Sequence, residues 1–185
     1  MHGGSRKGTM NEQIAHEMIV MAAQGGDRRA MTRLVGLWHR PLVRHASRLM
    51  PDESSAMDAV QDAWIAIGKS IGKLEDPARF RAWAYRLVTN KCADVARKES
   101  RRRRADRSRQ APEPRAEGED GLQVELRVAM RQMDDEKRAM LALHYVDGLT
   151  VVELAEVFAV PTGTVKSRLF AARKELKQRI ERIES

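Results

Sequence analysis

A chain of 185 residues with 34 lysines and arginines against 26 aspartates and glutamates carries a formal charge of +8. With a pI near 10.0 it favours a polyanionic partner, nucleic acid or an anionic membrane surface. Its single cysteine, Cys92, excludes an internal disulfide framework, makes a reducing compartment the simpler assignment, and reads as a small buried apolar residue. No apolar run is long enough to span a bilayer, and the first ten residues, MHGGSRKGTM, lack the apolar stretch of a signal peptide. The expectation is a soluble, cytoplasmic protein without membrane insertion.

Helical periodicity fills the sequence and strand alternation is nearly absent, so the predicted fold class is all-α. Residues 1–11 read as a flexible tail. A first helix is predicted from about Glu12 to Gln24, with Ile14, Met18 and Met21 on one side and Gly25 and Gly26 as its stop. Asp27 can cap a second helix that runs to about Leu49, ahead of Pro51. A third begins near Ser54 and Ser55, where Ser55 followed by Asp58 has capping-box form, and runs to Gly68. The segment KSIGKLEDP forms a loop, and Asp76 with Pro77 opens a long fourth helix.

On the wheel of that fourth helix each residue turns by about 100°, so Arg79, Arg86, Asn90, Arg97 and Arg101 fall within roughly 60° of one another. Phe80, Trp83, Leu87 and Val88 lie on the other side, with Asp94 interrupting its far end. A packed apolar face thus backs a basic stripe with one amide and no acid in line, which suits phosphates better than a plain solvated face.

The next stretch, RRRRADRSRQAPEPRAEGEDG, has no apolar residue larger than alanine or proline and cannot bury surface to offset ordering. Its first half is basic and its second acidic. It divides the chain into a module at 12–99 and another at 122–185, joined by a flexible charged linker at 100–121. That linker is either plain or a strap lying along a nucleic-acid channel.

The second module starts near Leu122 with the amphipathic LQVELRVAMRQM. DDEKRAMLALHYVDG follows, with acids in its first turn and Gly148 beyond its end. Thr150 and Glu153 make a second capping box ahead of VVELAEVF. The turn AVPTG and a last helix, TVKSRLFAARKELKQRIERI, complete the chain. In a helix-turn-helix the two helices touch closely, and Ala155 and Ala159 supply small residues while Pro161 helps start the second helix. Val165, Leu169, Ala172 and Leu176 then face inward, and Ser167 and Lys174 point away. Phe170 sits about 120° from the apolar stripe, a position that suits contact with a thymine methyl in a major groove. Lys166 and Arg168 flank the same surface and can reach bases or phosphates.

PTGTVKSRLFAARKEL closely resembles the carboxy-terminal helix-turn-helix of the sigma-70 family of bacterial RNA polymerase sigma factors. AMDAVQDAWIAI is similar to that family's core-polymerase-binding helix, and FRAWAYRLVTNKCADVARK to its promoter-melting helix. Both modules in this order, with only a strap between them, resemble the small extracytoplasmic-function (group IV) class; the resemblance covers about Met18 to Leu176. It implies two small helical domains: a region 2-like domain that binds core polymerase and opens the −10 element, and a region 4-like domain that recognises −35. Core binding would then fall to Asp58, Gln61 and Asp62, a compact acidic and amide patch, with Val60 and Trp64 adding apolar contact. Contacts at −10 would come from Arg79, Arg86, Asn90, Lys91 and Arg97 and from the loop between Lys69 and Asp76. Trp83 and Tyr85 are the aromatic candidates for exposed bases, Trp83 reading rather as core. Contacts at −35 would come from Thr164, Lys166, Ser167, Arg168, Phe170, Arg173 and Lys174. An anti-sigma factor covering both modules is the further partner the resemblance implies.

The chain departs from that pattern at Ala171, where many relatives carry arginine or histidine, and at Ala159, which replaces a common turn glycine. Its arginine-rich strap would, on the same resemblance, grip template strand or nascent RNA. No catalytic residue, metal or cofactor is expected. His39 and His45 are six apart, Cys92 has no partner, and no Gly-rich phosphate loop or nucleophile elbow appears. The alternative is a stand-alone helix-turn-helix regulator, which leaves the Asp58–Asp62 patch and the melting helix without a task.

Overall fold

The computed structural model describes residues 6–105, 126, 128–130 and 132–183. The tail before Arg6, the charged linker beyond Ala105 and the start of the second module at Leu122 lie outside the described residues, as do the side chains of Arg101 and its neighbours. The elements are α1 (Arg6–Gln24), α2 (Arg28–Leu49), α3 (Glu53–Ser70), two short 3-10 turns (Ile71–Lys73 and Pro77–Arg79), α4 (Phe80–Ala105), α5 (Asp135–Tyr145), α6 (Val151–Phe158) and α7 (Thr162–Ile183). Among the described residues there is no strand.

Side-chain caps set most boundaries. The Asp27 carboxylate accepts from the backbone N–H of Arg29 at 2.7 Å and of Ala30 at 3.3 Å, starting α2 as expected. The third helix departs from expectation, because Asp52 rather than Ser55 is its cap. The Asp52 carboxylate accepts from the Ser55 backbone N–H at 2.8 Å and from its hydroxyl at 2.9 Å. An ionised acceptor at the positive end of a helix outcompetes a hydroxyl, and the Ser55 hydrogen bonds hold the Asp52 pKa below the usual carboxylate range. The expected tail is also shorter, since α1 reaches back to Arg6. The loop after α3 is two 3-10 turns, pinned to α1 by the Gln24 amide, which donates to the carbonyls of Ile71 at 3.1 Å and Leu74 at 2.6 Å.

In the first module α2, α3 and α4 bury Leu34, Leu42, Ala56, Ala59, Val60, Ala63, Ile67, Phe80 and Val88. Alanines at 56, 59 and 63 give α3 a flat inner face that lets its neighbours approach closely. α1 docks through His16, Ile19, Val20 and Ala23 rather than through the stripe read from the sequence: Ile14, Met18 and Met21 share a face, but it points to solvent. The Trp38 indole N–H donates to His16 Nε2 at 2.7 Å, and both rings stack edge-on near Phe80, which fixes α1's rotation.

The second module starts α5 at Asp134, whose carboxylate accepts from the N–H of Glu136 and Lys137. The capping box before α6 is present in both directions, with the Glu153 N–H to Thr150 Oγ1 at 3.2 Å and the Thr150 N–H to Glu153 Oε2 at 2.7 Å. Gly148, at φ 69°, makes the left-handed turn that ends α5. Ala159 closes α6 in the same region, at φ 53° and ψ 44°. The two modules share one apolar core: α6 packs on α4 and α5 on α2.

Candidate nucleic-acid and partner interfaces

The tight turn around Ala159 sets α7 across α5 and α6. Its inner residues Val165, Leu169 and Ala172 are buried, with Leu176 packed beside them. An ion pair ties the rear of α7 to α5, Lys137 donating to Glu175 at 2.8 Å, while Arg179 holds the same carboxylate at 2.8 Å from within α7, and these hydrogen bonds lower the Glu175 pKa. The outer surface carries Lys166, Ser167, Phe170, Arg173 and Lys174, all exposed, with Phe170 at 64%. Lys166, Arg173 and Lys174 have no ion-pair partner among the described residues. Thr164 is half-buried, and its carbonyl accepts from the Ser167 hydroxyl at 2.9 Å. Arg168 stands apart: it is half-buried and turned back onto the Glu136 carboxylate in the first turn of α5. The structure thus gathers the set read from the sequence onto one free cationic and aromatic face, with Arg168 diverted at its edge.

On α3, Asp58, Gln61 and Asp62 are exposed side by side. Val60 does not join them. Its two-residue offset from Asp58 turns it by about 200°, and it is wholly buried against the module core. Apolar surface beside the acids comes instead from Met57 and Ile65, each half exposed. Their spacing of four from Gln61 was available in the sequence. Trp64 is half-buried, and its indole N–H has no hydrogen-bond partner.

On α4, Arg86, Asn90 and Arg97 share an exposed face and Lys91 is half-buried. Arg97 pairs with Asp94 at 2.7 Å, so the acid expected on the apolar side reaches the basic one. Tyr85 is not available to exposed bases: it is 1% exposed, edge-on to Trp38 and His45, and burial, reinforced by Asp147, pushes its hydroxyl up to about 12. Trp83 is half-buried against Phe80, in keeping with a core role. Cys92 is buried and its thiol pushed up to about 11 by burial, so it lacks thiolate character.

One contact has no counterpart in the sequence reading. The second module presses acids onto arginines of the first. Asp147, in the turn after α5, accepts from Arg48 at 2.9 Å and Arg44 at 3.4 Å, and its backbone carbonyl accepts from Arg81. Arg79 places two guanidinium nitrogens on Glu156 Oε2, at 2.9 and 3.3 Å. Asn90 lines a groove between the modules whose opposite wall holds Asp134, Asp135 and Glu136. The arginines come from helical positions spread over α2 and the start of α4, so no local spacing announced the cluster.

Among the described residues no helix is long and apolar enough to cross a membrane, and no cluster of His, Cys, Asp or Glu could hold a metal ion.

Two family models match the chain in succession, Sigma-70 region 2 at residues 34–102 and Sigma-70 region 4 at residues 123–176. The chain is similar to the RNA polymerase sigma-H factor of Pseudomonas aeruginosa, 26% identical over 93% of this chain and 97% of that one. It is similar at 24% identity, with the same coverage, to the ECF RNA polymerase sigma-E factor of Escherichia coli K12. Its fold is like that of CnrH in complex with the cytosolic domain of CnrY, at a TM-score of 0.65 and 24% identity over 90% of this chain and 97% of that one. It is also like that of RpoE in complex with the anti-sigma factor NepR from Bartonella quintana, at a TM-score of 0.67 and 22% identity over 81% and 96%.

Proposed function

Because the chain belongs to the sigma-70 family of RNA polymerase sigma factors, with regions 2 and 4 in the order of its extracytoplasmic-function members, we propose that it binds core RNA polymerase through α3 and carries it to promoters read at −35 by α7 and at −10 by α4. It acts as a transcription initiation factor in the cytoplasm and has no enzymatic activity of its own. The observation that carries the reading is the pairing of a free basic face on α7 with a compact acidic patch on α3, in a chain that matches both family regions. A stand-alone regulator has no use for the second of these.

The residues follow from what each surface offers. Asp58, Gln61 and Asp62, with Met57 and Ile65 beside them, form a polar and apolar dock suited to a basic partner surface. Lys166, Ser167, Phe170, Arg173 and Lys174 face a major groove: the cations neutralise phosphates and the ring reaches base methyls. Arg86, Asn90, Lys91 and Arg97 track the −10 strand. We assign the domains as residues 12–99 and 122–185 with 100–121 between them. An anti-sigma factor is the regulator, as in the RpoE–NepR complex that this fold is like.

The test is binding to purified core RNA polymerase by wild type and by the double variant Asp58→Ala, Asp62→Ala. Tight binding that the substitutions weaken supports the reading. No binding by either, with duplex DNA still bound, hands the protein to the stand-alone alternative.

A further inference from the structure

Among the described residues the ion pairs between the modules all run from arginines of the first to acids of the second, with Arg138 of the second also donating to the Arg48 carbonyl at 2.6 Å, and their centre is a socket. Arg44 and Arg48 are one turn apart on α2, and Arg81 stands in the first turn of α4, which packs on α2. All three guanidinium groups converge on a single residue, Asp147, whose side chain is 5% exposed. The carboxylate takes Arg44 and Arg48, while Arg81 meets the Asp147 backbone carbonyl and, at 4.0 Å, Glu153, so three cations face two acids and positive charge stays in excess. A phosphate offers more charge and more acceptor oxygens than a carboxylate, and arginine forks match it geometrically. The socket also continues a line already turned toward DNA. Arg79 lies two residues before Arg81 and is itself held by Glu156, and Asn90 farther along α4 looks across a groove at Asp134, Asp135 and Glu136.

We propose that Arg44, Arg48 and Arg81 form a phosphate-binding site for promoter DNA, continuous with the −10 face, and that Asp147 occupies it in cis when the second module folds back. The inference rests on the DNA-binding reading above and extends it to three residues outside α7 and the −10 set. Bound DNA and the closed arrangement exclude one another at this site. The acidic turn between α5 and α6 therefore acts as a competitor tethered to the same chain.

The experiment uses the full chain and two probes, a mixed-sequence duplex and a single-stranded oligothymidylate, titrated by fluorescence anisotropy across a range of salt. Asp147→Ala removes the competing carboxylate from the turn after α5, and Asp147→Asn carries the same test should the alanine variant unfold. The expected result is tighter binding with a log–log salt slope steeper by about one to two, since each phosphate engaged on duplex contributes about 0.9 and the substitution frees Arg44 and Arg48, whereas Arg81 is held by the Asp147 backbone carbonyl. Adding Arg44→Gln and Arg48→Gln to Asp147→Ala should remove that increment. No gain from Asp147→Ala, or a gain that survives loss of the arginines, overturns the proposal. A gain toward poly-L-glutamate with none toward DNA overturns it as well, assigning the socket to an acidic protein. Arg173→Gln with Lys174→Gln on α7 separates the two readings. If that pair weakens duplex binding while Asp147→Ala changes nothing, the socket fails and the DNA reading stands. If wild type binds neither probe and Asp147→Ala does not restore binding, both fail.

Discussion

Ala159 is the only non-glycine among the described residues with a positive φ, and replacing it by glycine should stabilise the protein. At φ 53° and ψ 44° its backbone sits at the centre of the left-handed region, where a Cβ presses on the following carbonyl at a cost of about 1–2 kcal/mol. The methyl is exposed, so removing it sacrifices little buried area. The bonds that close α6, Ala159 N–H to Glu156 O at 3.3 Å and Val160 N–H to Ala155 O at 3.1 Å, are backbone and persist. Against the relief stands the greater freedom of glycine in the unfolded chain, about 0.4–1 kcal/mol. The net gain is about 0.5–1 kcal/mol, read as a higher urea midpoint at unchanged m-value, or as a rise in Tm of about 1–4 °C for a chain of this size. Ala155→Gly is the control. It lies in the right-handed interior of α6, half-buried, and should cost about 1 kcal/mol. Equal destabilisation by both substitutions would refute the strain argument. Affinity of Ala159→Gly for duplex DNA should not change, because the turn keeps its geometry.

Burial and the nearby Arg48 push His45 down to about 3, so the folded protein keeps it neutral while the unfolded chain protonates it near 6.5. The unfolded state thus binds more protons below that value, and stability should fall by about 1.4 kcal/mol per unit as pH drops from 6.5 toward 3. Urea midpoints at pH 7.5, 6.0 and 5.0 should show this decline, and it should flatten in His45→Phe; a wild-type profile flat between 6.5 and 5 rules it out. Glu136→Gln should release Arg168 from its ion pair, steepening the salt slope of duplex binding by up to about 0.9 while shifting stability by no more than about 1 kcal/mol. An unchanged slope would show that Arg168 does not reach DNA. Phe170→Ala should leave the melting temperature nearly unaltered, because the ring is 64% exposed, and should weaken binding to a thymine-bearing −35 duplex by about 1 kcal/mol or more. Equal affinities would remove the ring from the interface.

Elements and caps that depend on neighbouring residues were legible in the sequence. Asp27, Asp76, Gly148 and the Thr150–Glu153 box each act within a few positions of themselves, and the inward face of α7 follows from a simple wheel. Errors arose where two geometrically allowed choices had to be decided by packing. Ile14, Met18 and Met21 form as good a stripe as Ile19, Val20 and Ala23, but only the second set lets His16 meet Trp38. Tyr85 lies on a helix otherwise read correctly, and the aromatic cage that buries it draws on α2, some forty residues upstream. Val60 was misplaced for a different reason: it stands next to the acids in sequence and opposite them on the helix.

The closed arrangement has a consequence for the order of events at a promoter. Asp58, Gln61 and Asp62 remain exposed while Asp147 and Glu156 hold Arg44, Arg48 and Arg79. The proposed dock for polymerase is therefore open in the same state in which part of the proposed DNA surface is shut. If the closed form outnumbers the open one by about a hundredfold, the apparent affinity of the free factor for −10 DNA falls by the same factor, while its affinity for core is untouched. Exposed ion pairs such as Arg79–Glu156 contribute little, about 0–1 kcal/mol. The latch then rests on the more deeply held Asp147 and on apolar contact of Val157 and Phe158 with the groove beside Leu49 and Cys92. Salt weakens only the first of these. Opening should therefore respond to ionic strength partially, with a salt-independent remainder set by the apolar contact. A chain that opened fully at high salt would place the whole latch in its charges.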